Sequence, residues 1–147
     1  MPLEKATETT AGLLPPGKFI LLGEDDVDDE ELLKEVFATI DESFSLLFVN
    51  NGRKLLSAIQ HLPDHHLPCL IVLDYNMPEL NGADMLRELK KDGRFDKIPK
   101  IIWSTSGSPT YKTTCLELGA CDYIIKPTNI KDLTGIARYM LSFCPVH

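Results

Sequence analysis

Five short apolar runs, each followed by a helical pattern, constrain the fold of this chain more than any other feature of its sequence. The runs lie at 18–23, 44–49, 70–73, 98–103 and 121–125. Helical patterns follow the Asn50–Gly52 turn and begin at Asp28, Gly82, Pro109 and about Asn129. The run Leu70–Leu73 is apolar without a break, as in a strand that is buried on both faces. Strands that alternate with helices through short connections predict an α/β fold, with a doubly wound, parallel, five-stranded sheet in three layers.

Polar groups follow four of these runs at the points where the predicted strands end. They are Glu24-Asp25, Asp74, Ser104 and Lys126. In open α/β sheets the carboxyl ends of the strands form the edge at which ligands bind. Three carboxylates and one ammonium leave a formal charge of −2 at this edge, which a divalent cation would neutralise. Oxygen ligands without histidine or cysteine favour Mg²⁺ over zinc or copper.

The stretch Asp74-Tyr75-Asn76-Met77-Pro78-Glu79-Leu80-Asn81-Gly82 resembles the phosphorylation loop of response regulator receiver domains. The resemblance extends from Lys18 to about Phe143 and implies the flavodoxin-like strand order 2-1-3-4-5. It also implies that Asp74 accepts a phosphoryl group from a sensor histidine kinase or a phosphotransfer protein, in a Mg²⁺-dependent reaction. The protein would then signal to a downstream protein target through a conformational change, as a phosphoacceptor and not as an enzyme.

The resemblance assigns a role to each polar group at the sheet edge. The expected metal ligands are Glu24, Asp25 and Asp74, together with the backbone carbonyl of Asn76. Lys126 and Ser104 would each hold a phosphoryl oxygen while Asp74 acts as the nucleophile. Phosphoryl transfer of this kind needs mainly positioning and neutralisation of the phosphoryl oxygens.

Further features of receivers concern a conformational switch, one peptide bond and one aromatic residue. Ser104 and Tyr123 are the expected conformational switch. The Lys126–Pro127 peptide bond is expected to be cis, because receivers carry a cis bond there. Trp103 stands where receivers usually have an aliphatic residue, and it is bulkier.

Three other functions are compatible with parts of the pattern. A phosphatase of the haloacid dehalogenase type also forms an aspartyl phosphate, but it needs a second acid at the position of Asn76. A flavodoxin-like flavin carrier would need a phosphate-binding loop at 24–26, where this chain is acidic and would repel phosphate. The third function is a phosphorylation-independent interaction module on the receiver fold, although no expected site residue is missing.

Composition and the ends of the sequence exclude some classes of function. The net charge of −7 argues against nucleic-acid binding. Apolar runs of transmembrane length and a signal-peptide core are lacking, which predicts a cytoplasmic protein that is not bound to a membrane. Residues 1–17 are expected to be a flexible segment that precedes a receiver domain at 18–147, without an output domain. The segment 91–97 resembles stand-alone receivers, including those that act with phytochrome-type kinases.

Cysteine and histidine residues do not indicate a second site. Cys69, Cys115, Cys121 and Cys144 lack Cys-x-x-Cys spacing, so we expect reduced and mostly buried thiols. The histidines at 61, 65 and 66 are close in sequence. Pro63 prevents a helix that would align two of them on one face, which favours a solvated loop over a metal site.

The last helix carries a wide apolar stripe. Ile136, Tyr139 and Phe143 lie beside the residues expected to face the core. One interpretation is a homodimer or target surface that this stripe forms with the fourth helix and Tyr123. The other is deeper packing of the last helix against the sheet.

Overall fold

The computed structural model describes residues 14–15 and 17–144, which form one five-stranded parallel sheet with helices on both faces. The strands are β1 (Phe19–Gly23), β2 (Ser45–Val49), β3 (Leu70–Asp74), β4 (Lys100–Ser104) and β5 (Asp122–Ile125). The helices are α1 (Val27–Ile40), α2 (Gly52–Gln60), α3 (Gly82–Lys91), α4 (Pro109–Glu117) and α5 (Ile130–Leu141), with one 3₁₀ turn at Gly93–Phe95. The strand order is β2-β1-β3-β4-β5. The predicted fold class and the order 2-1-3-4-5 are therefore confirmed.

Two apolar clusters fill the space between the sheet and its helices. Helices α2, α3 and α4 cover one face, where Leu55, Ile59, Met85, Leu86, Leu89 and Cys115 are buried. Helices α1 and α5 cover the other face, where Leu33, Val36, Phe37, Leu133, Ala137 and Met140 are buried. Every residue of β1 and β3 is buried. This explains why the central runs are apolar without alternation.

The register of the sheet brings the polar strand ends together. Gly23 of β1 pairs with Leu73 of β3, so the residues that follow them, Glu24 and Asp74, leave the sheet side by side. Asp74 pairs in turn with Trp103 of β4. The predicted edge is thus a direct consequence of parallel strands that end at the same level.

Each helix begins after a polar residue whose side chain accepts a hydrogen bond from the first turn. These N-cap residues are Asp26, Asn51, Asn81, Ser108 and Asn129. Such caps satisfy backbone N–H groups that have no partner within the helix. Pro109 occupies the first turn of α4, and Gly119 follows that helix with φ of 105°, which confirms both predicted boundaries.

The loop between β3 and α3 packs directly on the start of α2. Gly52 donates its backbone N–H to the carbonyl of Pro78 over 3.2 Å. A Cβ atom at Gly52 would lie 2.4 Å from Leu80 Cβ and from its carbonyl oxygen. Glycine is therefore required here by space, and the contact fixes the loop that follows Asp74.

The prediction that all four cysteines are reduced is wrong for two of them. Cys69, directly before β3, and Cys144, after α5, form a disulfide with a Cα–Cα distance of 5.4 Å across 75 residues of sequence. Sequence spacing could not reveal this pair, because it depends on where the end of α5 meets the sheet. Cys115 is a buried free thiol, as predicted, and Cys121 is an exposed one.

The histidine segment is a turn region, as predicted. His66 is half-buried, however, since its ring packs edge-on against Phe19 with centroids 5.2 Å apart. Within the part of the chain that the structure describes, the one group of metal-ligand side chains lies elsewhere, at the sheet edge. The predicted flexible segment 1–17 falls almost wholly outside the described residues. In the described ranges, every helix is too short or too polar to cross a membrane.

Candidate functional site

Three carboxylates meet at the carboxyl edge of the sheet. One carboxylate oxygen from each of Glu24, Asp25 and Asp74 lies within 4.8 Å of the others. Glu24 and Asp74 expose only 1% and 4% of their surface, whereas Asp25 is exposed. The structure thus brings together the three side chains that the sequence predicted as metal ligands.

Burial makes ionisation of this cluster unfavourable. It raises the pKa of Glu24 to about 8, although a hydrogen bond from the Asp26 N–H to Glu24 Oε2 acts in the opposite direction. Burial and the neighbouring Asp74 carboxylate raise the pKa of Asp25. Like charges in a partly desolvated site oppose each other's ionisation, so the cluster favours a cation.

Lys126 supplies the positive charge of the site. Its Nζ lies 2.9 Å from Asp74 Oδ2, 2.8 Å from Asp29 Oδ2 and 3.1 Å from Glu24 Oε1. Burial alone would lower the pKa of Lys126, but the hydrogen bonds to Asp29 and Asp74 outweigh it, so the pKa rises. The Lys126 N–H also donates to the Ser104 carbonyl over 2.8 Å, which fixes the backbone from which the ammonium extends.

The predicted cis bond at Lys126–Pro127 is wrong. The described residues contain no cis peptide bond, so this bond is trans. The trans form is the intrinsically preferred one even before proline. With the trans bond, the Lys126 ammonium still contacts the carboxylates of Glu24, Asp29 and Asp74.

Asp29 is the site residue that sequence reasoning missed. It lies in the first turn of α1, where its charge was explained by the helix dipole alone. The structure shows that its carboxylate contacts Lys126, 97 residues away in sequence. The available signal was its position in the first turn of α1, which begins directly after the carboxyl end of β1.

Ser104 and Asn76 form the other side of the site. The Asn76 N–H donates to Asp74 Oδ1 over 2.9 Å, and the Asn76 amide nitrogen lies 3.5 Å from Ser104 Oγ. Ser104 is fully buried, and its hydroxyl oxygen accepts the N–H of Ser106 over 3.0 Å. Asn76 thus connects the carboxylate of Asp74 to the hydroxyl of Ser104.

Comparison with known proteins agrees with this geometry. The profile of the response regulator receiver domain matches residues 20–138. The chain belongs to the response regulator receiver family.

Similar proteins come from both plants and bacteria. The two-component response regulator ORR11 of Oryza sativa is 34% identical over 117 residues, which is 78% of each chain. The chain spans 47% of the length of a longer relative that is 33% identical over 121 residues.

Two similar crystal structures show ligand-bound or modified states. The Mn(2+)-bound form of response regulator Rcp1 is 30% identical, with a TM-score of 0.75, and covers 86% of this chain and 94% of its own. The phosphorylated cyanobacterial phytochrome response regulator RcpA is 28% identical, with a TM-score of 0.77, and covers 86% of this chain and 92% of its own.

Two aromatic residues border the site of this receiver. Tyr123 in β5 exposes 6% of its surface, and its hydroxyl donates to the Ser106 carbonyl over 2.7 Å. Trp103 exposes 2%, and the Lys126 ammonium lies 4.9 Å from its ring centroid. Tyr123 therefore contacts the segment after β4, and Trp103 contacts the lysine.

The side chains of the receiver site fit a hard divalent cation. The three carboxylates offer only oxygen ligands, and buried Glu24 Oε1 has no hydrogen-bond partner among the described residues. With Asp29, four carboxylates face the single ammonium of Lys126, which leaves a formal charge of −3. Mg²⁺ matches this ligand chemistry and would remove most of the excess charge.

Proposed function

We propose that Asp74 takes a phosphoryl group from the phosphohistidine of a sensor histidine kinase or a phosphotransfer protein, and that this receiver signals through the resulting conformational change. The observation that carries the proposal is the contact of 2.9 Å between Lys126 Nζ and Asp74 Oδ2 within a cluster of carboxylates. The relatives support it, since ORR11 is a two-component response regulator and RcpA has been crystallised in a phosphorylated form.

The proposed transfer is a nucleophilic displacement at phosphorus. A carboxylate oxygen of Asp74 forms a bond to phosphorus while the phosphorus–nitrogen bond of phosphohistidine breaks, and the electron pair of that bond stays on the imidazole. The product is an acyl phosphate on Asp74. The Lys126 ammonium and the Ser104 hydroxyl would hold phosphoryl oxygens, while the Asn76 N–H holds the other carboxylate oxygen.

The proposed cation is Mg²⁺. Its ligands would be the carboxylates of Glu24, Asp25 and Asp74 and the backbone carbonyl of Asn76. When bound, it would add positive charge beside the phosphoryl oxygens, which phosphoryl transfer requires. The carboxylate cluster, and the Mn(2+)-bound form of the similar Rcp1, support this assignment.

Ser104 and Tyr123 are the proposed switch. A phosphoryl group on Asp74 would accept a hydrogen bond from the Ser104 hydroxyl and so draw Ser104 Oγ away from the Ser106 N–H that now donates to it. Ser106 also accepts the Tyr123 hydroxyl, so a movement of this segment changes the contacts of the tyrosine. Lys126→Ala is expected to keep Mg²⁺ binding but to uncouple phosphorylation of Asp74 from the movement of Tyr123. NMR of the Tyr123 ring with and without phosphorylation would measure this.

The face of α5 next to β5 is the proposed surface for a downstream target or for a homodimer. Tyr139 is 40% exposed, although its hydroxyl donates to Asp122 Oδ2 over 2.7 Å and its ring packs edge-on against Phe143. Ile136 and Phe143 are half-buried against the core, so packing explains part of the stripe. Light scattering with and without a phosphoryl mimic tests the dimer, and a strict monomer in both states would exclude it.

We further propose a cytoplasmic receiver that acts with a phytochrome-type kinase. The similarity to RcpA, a phytochrome response regulator, supports this partner.

Acetyl phosphate with Mg²⁺, followed by intact-mass measurement, tests the proposed function. A receiver is expected to gain one phosphoryl group of about 80 Da that hydroxylamine removes, as it does from an acyl phosphate. Multiple turnover of phosphoesters without a stable adduct would support a phosphatase instead. An unmodified protein would support a phosphorylation-independent module.

A further inference from the structure

The Lys126 ammonium has two contacts that the proposed transfer does not use. Asp29 Oδ2 lies 2.8 Å from Nζ, and the Trp103 ring lies below it with its centroid at 4.9 Å. The side chain of Lys126 is only 9% exposed. The ammonium is therefore held on several sides, and two of these contacts come from outside the expected metal ligands.

Asp29 accounts for a large share of the hydrogen bonding of this ammonium. The two carboxylates that accept hydrogen bonds from Nζ are Asp29 and Asp74. Glu24 Oε1 lies at 3.1 Å but makes an ion pair without hydrogen-bond geometry. Loss of Asp29 would leave a buried ammonium with a single hydrogen bond among the described residues.

Asp29 differs from the other two carboxylates in what else it can bind. Glu24 and Asp74 both belong to the group of side chains that could share a cation, and Asp29 does not. A cation at that group would share the charge of Glu24 and Asp74 and so weaken their attraction for the ammonium. Asp29 is the carboxylate that remains fully available to Lys126.

Both ends of the Asp29–Lys126 contact are fixed by the backbone. The Asp29 N–H donates to Asp26 Oδ1 over 3.0 Å in the first turn of α1. The Lys126 N–H donates to the Ser104 carbonyl over 2.8 Å at the end of β5. The contact thus has a defined position relative to the sheet edge, as a positioning group needs.

We propose that Asp29 is a positioning residue for phosphoryl transfer: with the face of Trp103, it holds the Lys126 ammonium beside Asp74 when a cation engages the other carboxylates. This inference rests on the proposed function. It assigns to Asp29 a role that acts through Lys126, without contact to the cation.

The test compares Asp29→Asn with a matched control in the same helical turn. Asp28→Asn makes the same change of charge at an exposed position and serves as the control. With acetyl phosphate and saturating Mg²⁺, Asp29→Asn is expected to label about tenfold more slowly, the loss that one charge-assisted hydrogen bond accounts for. Asp28→Asn should label at the wild-type rate, and Asp29→Glu should restore most of the rate.

The Mg²⁺ concentration that gives half-maximal labelling separates positioning from metal binding. For Asp29→Asn it is expected to stay within about twofold of wild type, because Asp29 is not a metal ligand. A slower rate together with a strongly raised half-maximal concentration would show that Asp29 binds the cation, which would overturn the inference. An Asp29→Asn variant that labels as fast as Asp28→Asn would also overturn it.

A second readout needs no labelling. Trp103 is the sole tryptophan of the chain, so its emission with saturating Mg²⁺ reports on the ammonium over its ring. The emission of Asp29→Asn is expected to move toward that of Lys126→Met, while Asp28→Asn keeps the wild-type spectrum. Emission of Asp29→Asn identical to wild type would contradict the inference. If wild-type protein took no label, the proposed function would fail, and this comparison would still decide the role of Asp29.

Discussion

Glu24→Gln is expected to stabilise the metal-free protein at alkaline pH, although Glu24 belongs to the functional site. The side chain is 1% exposed, and burial raises its pKa from 4.5 to about 8. Between these two values the folded protein holds a proton that the unfolded chain has released. The stability of the wild type is therefore full below the unfolded pKa and falls as the pH rises through the folded pKa.

The size of this effect follows from the pKa shift. The difference between 4.5 and about 8 corresponds to roughly 5 kcal/mol, at about 1.4 kcal/mol for each pKa unit. Glutamine has nearly the same shape and does not ionise, so it avoids this loss. The stability difference between variant and wild type should be small near pH 4 and should grow by up to about 5 kcal/mol by pH 9.

Urea unfolding in EDTA, followed by far-UV circular dichroism at several pH values, measures the effect. Glu35→Gln is the matched control, because it makes the same substitution at an exposed position on α1. It should track the wild type across the pH range. A Glu24→Gln variant whose stability relative to wild type does not change with pH would refute the reasoning.

Three further predictions concern other parts of the molecule. Asp25→Asn should raise the metal-free melting temperature, because burial and the Asp74 carboxylate oppose ionisation of Asp25, but it should remove most of the Mg²⁺ response, which for wild type is roughly 2.7 kcal/mol at a hundredfold excess over Kd. In melting curves with and without Mg²⁺, a variant that melts lower in EDTA and keeps the full response would show that Asp25 is not a ligand. Gly52→Ala should destabilise by about 1–3 kcal/mol in urea, because its Cβ would overlap Leu80 at 2.4 Å; wild-type stability would contradict the packing. Reduction of Cys69–Cys144, whose loop spans 75 residues, should cost roughly 4 kcal/mol but leave labelling of the site intact; a protein of unchanged stability in dithiothreitol would contradict the first part.

The fold could be predicted because its determinants are local and periodic. The uninterrupted run of β3 between helical patterns specified a strand buried on both faces, and parallel strands must end at a common edge. Glu24 and Asp74 therefore meet as neighbours of the pair Gly23–Leu73. The strand order was not contained in this pattern, and it came from the resemblance.

Other features depend on tertiary contacts that sequence spacing does not encode. The Cys69–Cys144 pair forms only because the end of α5 returns to the start of β3. The carboxylate of Asp29 was attributed to the helix dipole because a residue at the start of α1 satisfies that explanation by itself. Its contact with the ammonium of Lys126 appears only when the fold brings the first turn of α1 to the residue that follows β5.

The central claim is that Asp74 accepts the phosphoryl group, and intact mass after incubation with acetyl phosphate and Mg²⁺ tests it most directly. Wild-type protein and the exposed control Asp28→Asn are expected to gain one phosphoryl group of about 80 Da. Asp74→Asn should stay unmodified under the same conditions, because an amide oxygen is a poor nucleophile. An Asp74→Asn variant that is labelled at the wild-type rate would contradict the account.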